Sequence, residues 1–180
     1  MKATGIVRRI DDLGRVVIPK EIRRTMRIRE GDPLEIYTSR DGEVIFKKYS
    51  LLGGVDELAG QLSETLSKTT GRICAVSDRD TVLAVAGGGR RELLGKRLAP
   101  ELDAVMEGRR IYQLPAGEPG IPVCDSSDRL IAAVAAPILS EGDVLGLVLM
   151  VTQESDPPVG EVELKLAQAA AAFLGRHMES

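Results

Sequence analysis

The chain has 180 residues and carries 24 Lys and Arg against 27 Asp and Glu, for a formal net charge of −3 with its one His neutral. That total hides an asymmetry, because residues 1–50 hold 12 basic and 8 acidic side chains and residues 51–180 hold 12 and 19. No apolar run reaches the roughly 20 residues that a membrane-spanning helix needs, and the N-terminal residues contain no apolar signal core, so we expect a cytoplasmic protein.

The first 50 residues predict short strands around one short helix. Residues 4–10 alternate and are rich in β-branched side chains, and a turn at 11–14 separates them from a second predicted strand at 15–18. Residues 34–38 and 43–48 then predict a hairpin, because an Asp-Gly pair stands between them and Gly accepts positive φ without strain.

The predicted helix begins at Pro19, whose missing N–H would be unpaired at the first helical position in any case. It runs for about two turns through Arg27, with Ile22 and Met26 one turn apart on the side expected to be buried. A module of this size with so few large side chains buries little surface on its own. We therefore expect it to dimerise.

The remainder of the chain predicts a longer unit, separated from residues 1–50 by a linker at 51–55 and extending over 56–180. Its predicted elements are a helix at 56–69, strands at 73–77 and 81–86, a helix at 100–107, a strand at 111–114, a loop at 115–122, strands at 130–139 and 144–152, and a helix at 160–178. This order is typical of an antiparallel sheet flanked by helices, the α+β class.

The last predicted helix has two apolar stripes. One contains Val162, Leu166, Ala169 and Phe173, and the other contains Ala167, Ala170 and Leu174. One stripe can cover the sheet and the other can meet a helix of a partner chain.

Arginines are the strongest functional signal of the first 50 residues. Residues 1–29 hold nine Lys and Arg against three acids, and guanidinium groups bind phosphates and guanine edges bidentately. A solvated charged helix face is the alternative interpretation. Five aromatic residues in the whole chain and no Trp make a base-stacking surface for single strands or RNA a poor fit, so duplex DNA is the expected target.

The segment Lys2-Ala3-Thr4-Gly5-Ile6-Val7-Arg8-Arg9-Ile10-Asp11-Asp12-Leu13-Gly14-Arg15-Val16-Val17-Ile18-Pro19, followed by Glu21-Ile22-Arg23-Arg24, resembles the swapped-hairpin domain of AbrB-type transition-state regulators. The resemblance covers residues 1–50 and implies an intertwined dimer in which two chains complete one sheet. It also implies DNA contact by Arg8, Arg15, Arg23 and Arg24, with Arg9 at a position where Lys is also common.

The whole chain resembles the two-domain sporulation regulators of endospore-forming bacteria, in which an AbrB-type domain precedes a GAF-like domain. This resemblance implies control of late forespore transcription, with activation at some promoters and repression at others. It further implies a nucleoid-associated homotetramer whose GAF-like domains pair through their first and last helices. On the same grounds the GAF-like domain is a candidate sensor of an unidentified small-molecule effector, and the loop at 115–122 is a candidate lid.

The cysteines are the candidates for an enzymatic role, because one enzyme class on the GAF fold reduces free methionine sulfoxide with cysteines. Cys74 lies in an apolar predicted strand and Cys124 near a loop, and neither has an adjacent base that would lower its pKa. We predict buried, reduced thiols, no enzymatic activity, no metal and no cofactor.

Two other function classes stay open. The AbrB-type fold also serves antitoxins, in which a C-terminal tail neutralises a toxin, although residues 56–180 have the periodicity of a packed domain. Alternatively, the second domain is the main actor, as a small-ligand sensor tethered to DNA.

Overall fold

The computed structural model describes residues 4–179 and divides into two compact units, Met1–Tyr49 and Ser50–Ser180. Lys2 and Ala3, which open the motif quoted above, lie outside the described residues. The mixture of helices and antiparallel sheets confirms the α+β class. No helix among residues 4–179 combines the length and the hydropathy needed to cross a bilayer.

The first unit contains one helix and one hairpin. Helix α1 covers Lys20–Met26, and strands β1 (Leu34–Thr38) and β2 (Val44–Lys48) pair antiparallel, with Ile36 opposite Phe46. Gly42, at φ 81°, provides the positive φ that the Asp-Gly turn was expected to need. The hairpin prediction is confirmed.

Residues 4–10 and 15–18, which we predicted as strands, form no strand in the single chain. They meet only at the predicted turn, where the amide of Asp11 donates to the carbonyl of Arg15 at 3.0 Å. The physical reason is that a strand needs a hydrogen-bonded neighbour along its length. Alternation and β-branching describe the segment's preference for extended backbone and do not supply that neighbour.

The prediction for the buried side of α1 was wrong in part. Met26 is 51% exposed, and no residue of the helix is fully buried. Pro19 precedes the helix as its N-cap, and Arg27 ends it in the left-handed conformation at φ 51°. Ile22 is half-buried. The helix therefore has no complete core beneath it within one chain.

The second unit contains an antiparallel sheet with helices on both sides. Its elements are α2 (Asp56–Thr70), β3 (Ile73–Asp78), β4 (Val82–Ala86), α3 (Arg90–Leu93), α4 (Leu102–Gly108), β5 (Tyr112–Gln113), β6 (Ile121–Cys124), β7 (Ser127–Ser140), β8 (Asp143–Thr152) and α5 (Glu161–His177). The strand order is β4-β3-β8-β7-β5, with β6 also paired to β7. The sequence analysis missed α3 and β6, and β6 overlaps the predicted loop at 115–122.

Each face of this sheet has its own apolar core. Leu93, Leu102, Met106, Val123 and Leu130 lie in the core on the α3 and α4 side, whereas Leu66, Val76, Val134, Ala170 and Leu174 lie in the core shared with α2 and α5. The predicted division of α5 into two stripes is confirmed for burial except at Leu166, which is partly buried and packs against the core shared with α2. Ala167, Ala170 and Leu174 are buried, while Val162 and Phe173 are 68% and 52% exposed.

The segment proposed as a linker begins the second unit. Residues 51–54 form a turn, and Leu52 within it is fully buried in the core shared with α2 and α5. The amide of Ala59 donates to the carbonyl of Val55, so this stretch leads directly into α2.

Candidate nucleic-acid interface

Three of the five candidate arginines flank one tight turn. Arg8 and Arg9 precede the turn at 11–14, and Arg15 follows it; all three side chains are exposed. Gly14, at φ 76°, allows the chain to reverse. The turn therefore projects three guanidinium groups from a short stretch of backbone.

Asp11 organises this turn. Its Oδ1 accepts hydrogen bonds from the amides of Leu13 at 3.0 Å and Arg15 at 2.7 Å, and its Oδ2 accepts one from Nε of Arg15 at 2.8 Å. The backbone amide of Arg15, then its guanidinium, and then the amide of Leu13 hold the pKa of Asp11 below its usual value. The carboxylate thus stays ionised and orients Arg15.

The other two candidates, Arg23 and Arg24, lie side by side in the last turn of α1. Their carbonyls accept hydrogen bonds from the amides of Ile28 and Arg27, which closes the C-terminal end of the helix, and both side chains remain exposed. Within residues 4–179, Arg9, Arg23 and Arg24 form no salt bridge. Their charges are available to an external anion.

A buried ionic cluster that the sequence analysis missed joins α1 to the hairpin. Asp32, with a side chain only 5% exposed, accepts the amide of Arg29 at 2.8 Å and lies 3.6 Å from Nζ of Lys48. The same Nζ donates to the carbonyl of Arg27 at 2.7 Å. Asp32 within a Gly-Asp-Pro turn was a usable signal for this contact, but its partner is 16 residues away and pairs only after folding.

The first unit also exposes many large apolar side chains. Large apolar residues exposed in this single chain include Ile6, Val7, Ile10, Leu13, Val16, Val17, Met26, Ile36, Tyr37, Val44, Phe46 and Tyr49. Soluble monomers rarely expose contiguous apolar surface on this scale.

The second unit has chemistry of a different kind. Cys74 and Cys124 are buried free thiols, and burial raises the pKa of each to about 11. Among the described residues no group of three or more His, Cys, Asp and Glu side chains could hold a metal ion. The second unit also contains a cavity of about 590 Å³, partly lined by residues 114–119.

The second unit has the GAF fold. A crystal structure of a GAF domain/HD domain protein from Geobacter sulfurreducens is similar to it at a TM-score of 0.51 and 23% identity, covering 73% of this chain and 99% of that one. The first unit is AbrB-type, since the transition state regulatory protein AbrB of Bacillus subtilis (strain 168) is 63% identical over 49 residues, 27% of this chain and 50% of that protein. Together the two units define a two-domain transcription factor.

A family model described as "Stage V sporulation protein T C-terminal, transcription factor" matches residues 54–179. The chain belongs to the stage V sporulation protein T family. Stage V sporulation protein T of Bacillus subtilis (strain 168) is 44% identical to it over 180 residues, 99% of each chain. A second model, described as "Antidote-toxin recognition MazE, bacterial antitoxin", matches residues 7–50.

Proposed function

We propose that this sporulation transcription factor binds double-stranded DNA through Arg8, Arg9, Arg15, Arg23 and Arg24 of an intertwined dimer of its first unit. It activates some late forespore promoters and represses others, in the cytoplasm of the forespore and on its nucleoid. The observation that carries the proposal is the set of exposed arginines on a unit of net positive charge. The recognition of DNA by the homologous domain of AbrB supports the same assignment.

Dimerisation follows from the apolar surface of the first unit. Among residues 4–49 only Pro19 is fully buried, while Val7 and Val17 are 84% and 72% exposed. A second copy that pairs with residues 4–10 and 15–18 provides both the missing strand neighbours and the missing core. The arginines of both copies then lie on one assembly.

The expected binding is strongly salt-dependent. Two copies of Arg8, Arg15, Arg23 and Arg24 neutralise up to about eight phosphates, which gives a slope of about −7 for the logarithm of the binding constant against the logarithm of the salt concentration. An Arg23→Ala/Arg24→Ala variant removes half of these contacts, so its slope should fall to about −4.

Fluorescence anisotropy on a duplex DNA target tests this assignment. The matched control is Arg90→Ala/Arg91→Ala, which removes the same charge from an exposed arginine pair on α3 of the acidic unit. We expect the first variant to lose affinity by at least about a hundredfold, as four contacts per dimer are lost, and the control to bind like the parent protein. Equal affinities for a folded Arg23/Arg24 variant and the control would refute the proposal.

The second unit is proposed to join two dimers into a tetramer. Helices α2 and α5 contact each other, and α5 keeps Val162 and Phe173 exposed on its outer side. Pairing of these helices with their copies in another chain would cover those side chains. Sedimentation should therefore show tetramers for the full chain, and dimers for a Val162→Glu/Phe173→Glu variant.

Sensing without catalysis is the proposed further role of the second unit. At neutral pH a thiol whose pKa is about 11 is almost entirely protonated, which makes Cys74 and Cys124 poor nucleophiles. Mass spectrometry with iodoacetamide should show both cysteines unmodified in the folded protein and modified after denaturation.

Toxin neutralisation is the second candidate, favoured by the antitoxin model that matches residues 7–50. Antitoxin tails are usually extended and disordered when free, whereas the second unit has an apolar core on each face of its sheet. Limited proteolysis separates the two functions. A protected fragment starting near residue 50 supports the regulator, and rapid loss of everything beyond residue 50 supports the antitoxin.

A further inference from the structure

The cavity of about 590 Å³ in the second unit lies between two loops. Residues 114–119, after β5, form one side; residues 152–159, between β8 and α5, form the other; and Ile131 and Ala133 of β7 also line it. A volume of this size suits a small organic molecule. None of these lining residues belongs to the apolar core on the α3 and α4 side of the sheet.

The walls and the rim of this cavity differ in chemistry. The walls are mostly apolar and include Leu114, Pro119, Ile131, Pro157 and Val159. The charged lining residues are the exposed side chains of Glu118, Asp128, Glu154, Asp156 and Arg129. The charged groups that line the cavity are thus four carboxylates and one guanidinium.

The single guanidinium is already engaged. Nη2 of Arg129 lies 2.7 Å from Oε1 of Glu92. The charge of Arg129 is therefore balanced by a carboxylate that does not line the cavity. Asp156 accepts the amide of Gln153 at 2.8 Å, whereas Glu118, Asp128 and Glu154 have no salt bridge within residues 4–179. The charge of Glu118 also contributes, after burial, to a raised pKa of Tyr112. The potential at the rim is therefore negative.

We infer that this cavity binds a small organic cation, an ammonium or guanidinium group carried on an apolar body. The apolar part lies against Ile131, Leu114 and the prolines, and the cationic group faces Glu118, Asp128 and Glu154. This inference rests on the proposed sensing role of the second unit and names the chemical class of its effector.

The loops around the cavity are fixed in ways that connect it to α5. A Cβ on Gly120, which has φ 76°, would stand 2.5 Å from Cγ2 of Ile131. The backbone at the end of the first loop therefore lies directly against Ile131, which lines the cavity. Arg72 holds the second loop, because its Nη2 donates to the carbonyls of Pro157 at 2.7 Å and Pro158 at 2.9 Å. Its Nε donates to Oε1 of Glu163 in the first turn of α5.

A bound cation therefore acts on a loop whose backbone is tied to α5 through Arg72 and Glu163. Since α5 is the helix proposed to pair with another chain, occupancy of the cavity would bias the assembly of two dimers. Backbone hydrogen exchange of residues 159–164 should slow when the site is filled.

Three probes with the same apolar part test the charge requirement on the full-length protein. Phenethylammonium, 2-phenylethanol and 3-phenylpropionate share a phenyl ring and a two-carbon spacer, and each is titrated into the millimolar range by calorimetry. We expect the ammonium to bind at least about tenfold tighter than the alcohol and the carboxylate to bind weakest. Equal affinities, the reverse order, or no binding of the ammonium would overturn the inference.

Charge-removing variants test the location. Glu118→Gln/Asp128→Asn/Glu154→Gln should weaken phenethylammonium binding about tenfold, since each exposed ion pair contributes modestly. The control, Glu101→Gln/Glu107→Gln/Asp143→Asn, removes the same charge from exposed positions outside the cavity and should bind like the parent protein. Equal weakening in both variants, or slowed exchange confined to residues outside 114–119 and 152–164, contradicts the assigned site.

DNA binding by the same preparations separates this inference from the proposed function. Duplex binding without ammonium binding refutes the cation site alone. Loss of duplex binding by the parent protein refutes the proposed function, whatever the second unit binds.

Discussion

Residues 4–49 and residues 50–179 bury their apolar side chains to very different extents. Of 15 large apolar side chains that are exposed among the described residues, 12 belong to the first unit, although it holds about a quarter of the chain. The second unit instead has an apolar core on each face of its sheet. We therefore expect the first unit to depend on association for its stability, whereas the second has a core of its own.

The difference also separates function between the two units. In the proposed dimer, the arginines of the first unit stand on backbone that a second chain supports, so we expect DNA binding to require dimerisation. In the second unit, the cavity and the anchoring contacts of Arg72 lie within one chain. Four sets of variants probe this comparison, from the largest expected effect to the smallest.

Val17→Glu and Val162→Glu place the same charge on two valines of similar exposure, 72% and 68%, one in each unit. We expect Val17→Glu to abolish the thermal transition of the first unit and DNA binding, because it charges the proposed dimer core. Val162→Glu should leave the second unit folded, because that unit has apolar cores within one chain, and should act only on the proposed pairing of α5 with another chain. Calorimetry resolves the two transitions, and an intact first transition in Val17→Glu would contradict the dimer.

Gly175→Ala and Gly60→Ala compare two helical glycines of the second unit. A Cβ at Gly175 would collide with the backbone carbonyl of Leu139 on β7, whereas a Cβ at Gly60 on α2 meets nothing within 4 Å. We expect Gly175→Ala to lower the free energy of unfolding by about 3 kcal/mol and Gly60→Ala to raise it by about 0.5 kcal/mol. Urea denaturation measures both. Similar values would show that α5 is not closely packed on the sheet.

Arg72→Met removes the buried guanidinium between the start of β3 and the start of α5. The side chain of Arg72 is 7% exposed and that of Glu163 19%, so we expect a loss of about 2 kcal/mol. Arg72→Lys, which keeps the charge but not the three contacts, should recover only part of it. Full recovery by Lys would show that charge alone matters at this position.

The contact between Arg72 and Glu163 also predicts that the stability of the second unit depends on pH. Hydrogen bonds from the amides of Glu163 itself and of Gly160, together with the Arg72 guanidinium, lower the pKa of Glu163 below 4.5. A carboxyl whose folded-state pKa is depressed stabilises the fold above its unfolded pKa and loses that contribution as pH falls through the folded value. The parent protein should therefore lose more stability than Arg72→Met between pH 5 and pH 3, as measured by urea denaturation.

Asp11→Asn and Asp11→Ala distinguish the two roles of Asp11 in the first unit. Asn retains the oxygen that accepts from the amides of Leu13 and Arg15, but removes a negative charge beside the arginines. We expect Asp11→Asn to bind duplex DNA about twofold tighter at low salt, and Asp11→Ala to bind more weakly because the turn loosens. Anisotropy titrations decide it, and tighter binding by Asp11→Ala would show that the turn does not position Arg15.

The hairpin, the longer helices and strands, and also the short elements α1 and β5 were predictable from the sequence, whereas α3, β6 and the fate of the partner-dependent segments were not. The hairpin of β1 and β2, helices α2 and α5, and strands β7 and β8 have enough residues for period and turn signals to accumulate. The missed strand β6 overlaps the loop predicted at 115–122. Met26 was assigned to a buried side on helical spacing, and it is exposed because spacing does not reveal whether anything covers that side.

The sequence by itself determined the order of the longer elements, the α+β class, the family and the arginines proposed to contact DNA, because each depends on local pattern or on residues close together in the chain. Only the tertiary structure decided which side chains are enclosed. The Asp32–Lys48 pair, the contacts of Arg72 with Pro157 and Glu163, and the acidic-rimmed cavity join residues 16 to 91 positions apart. Such groups meet only when the sheets and helices pack, and no spacing along the chain specifies that meeting.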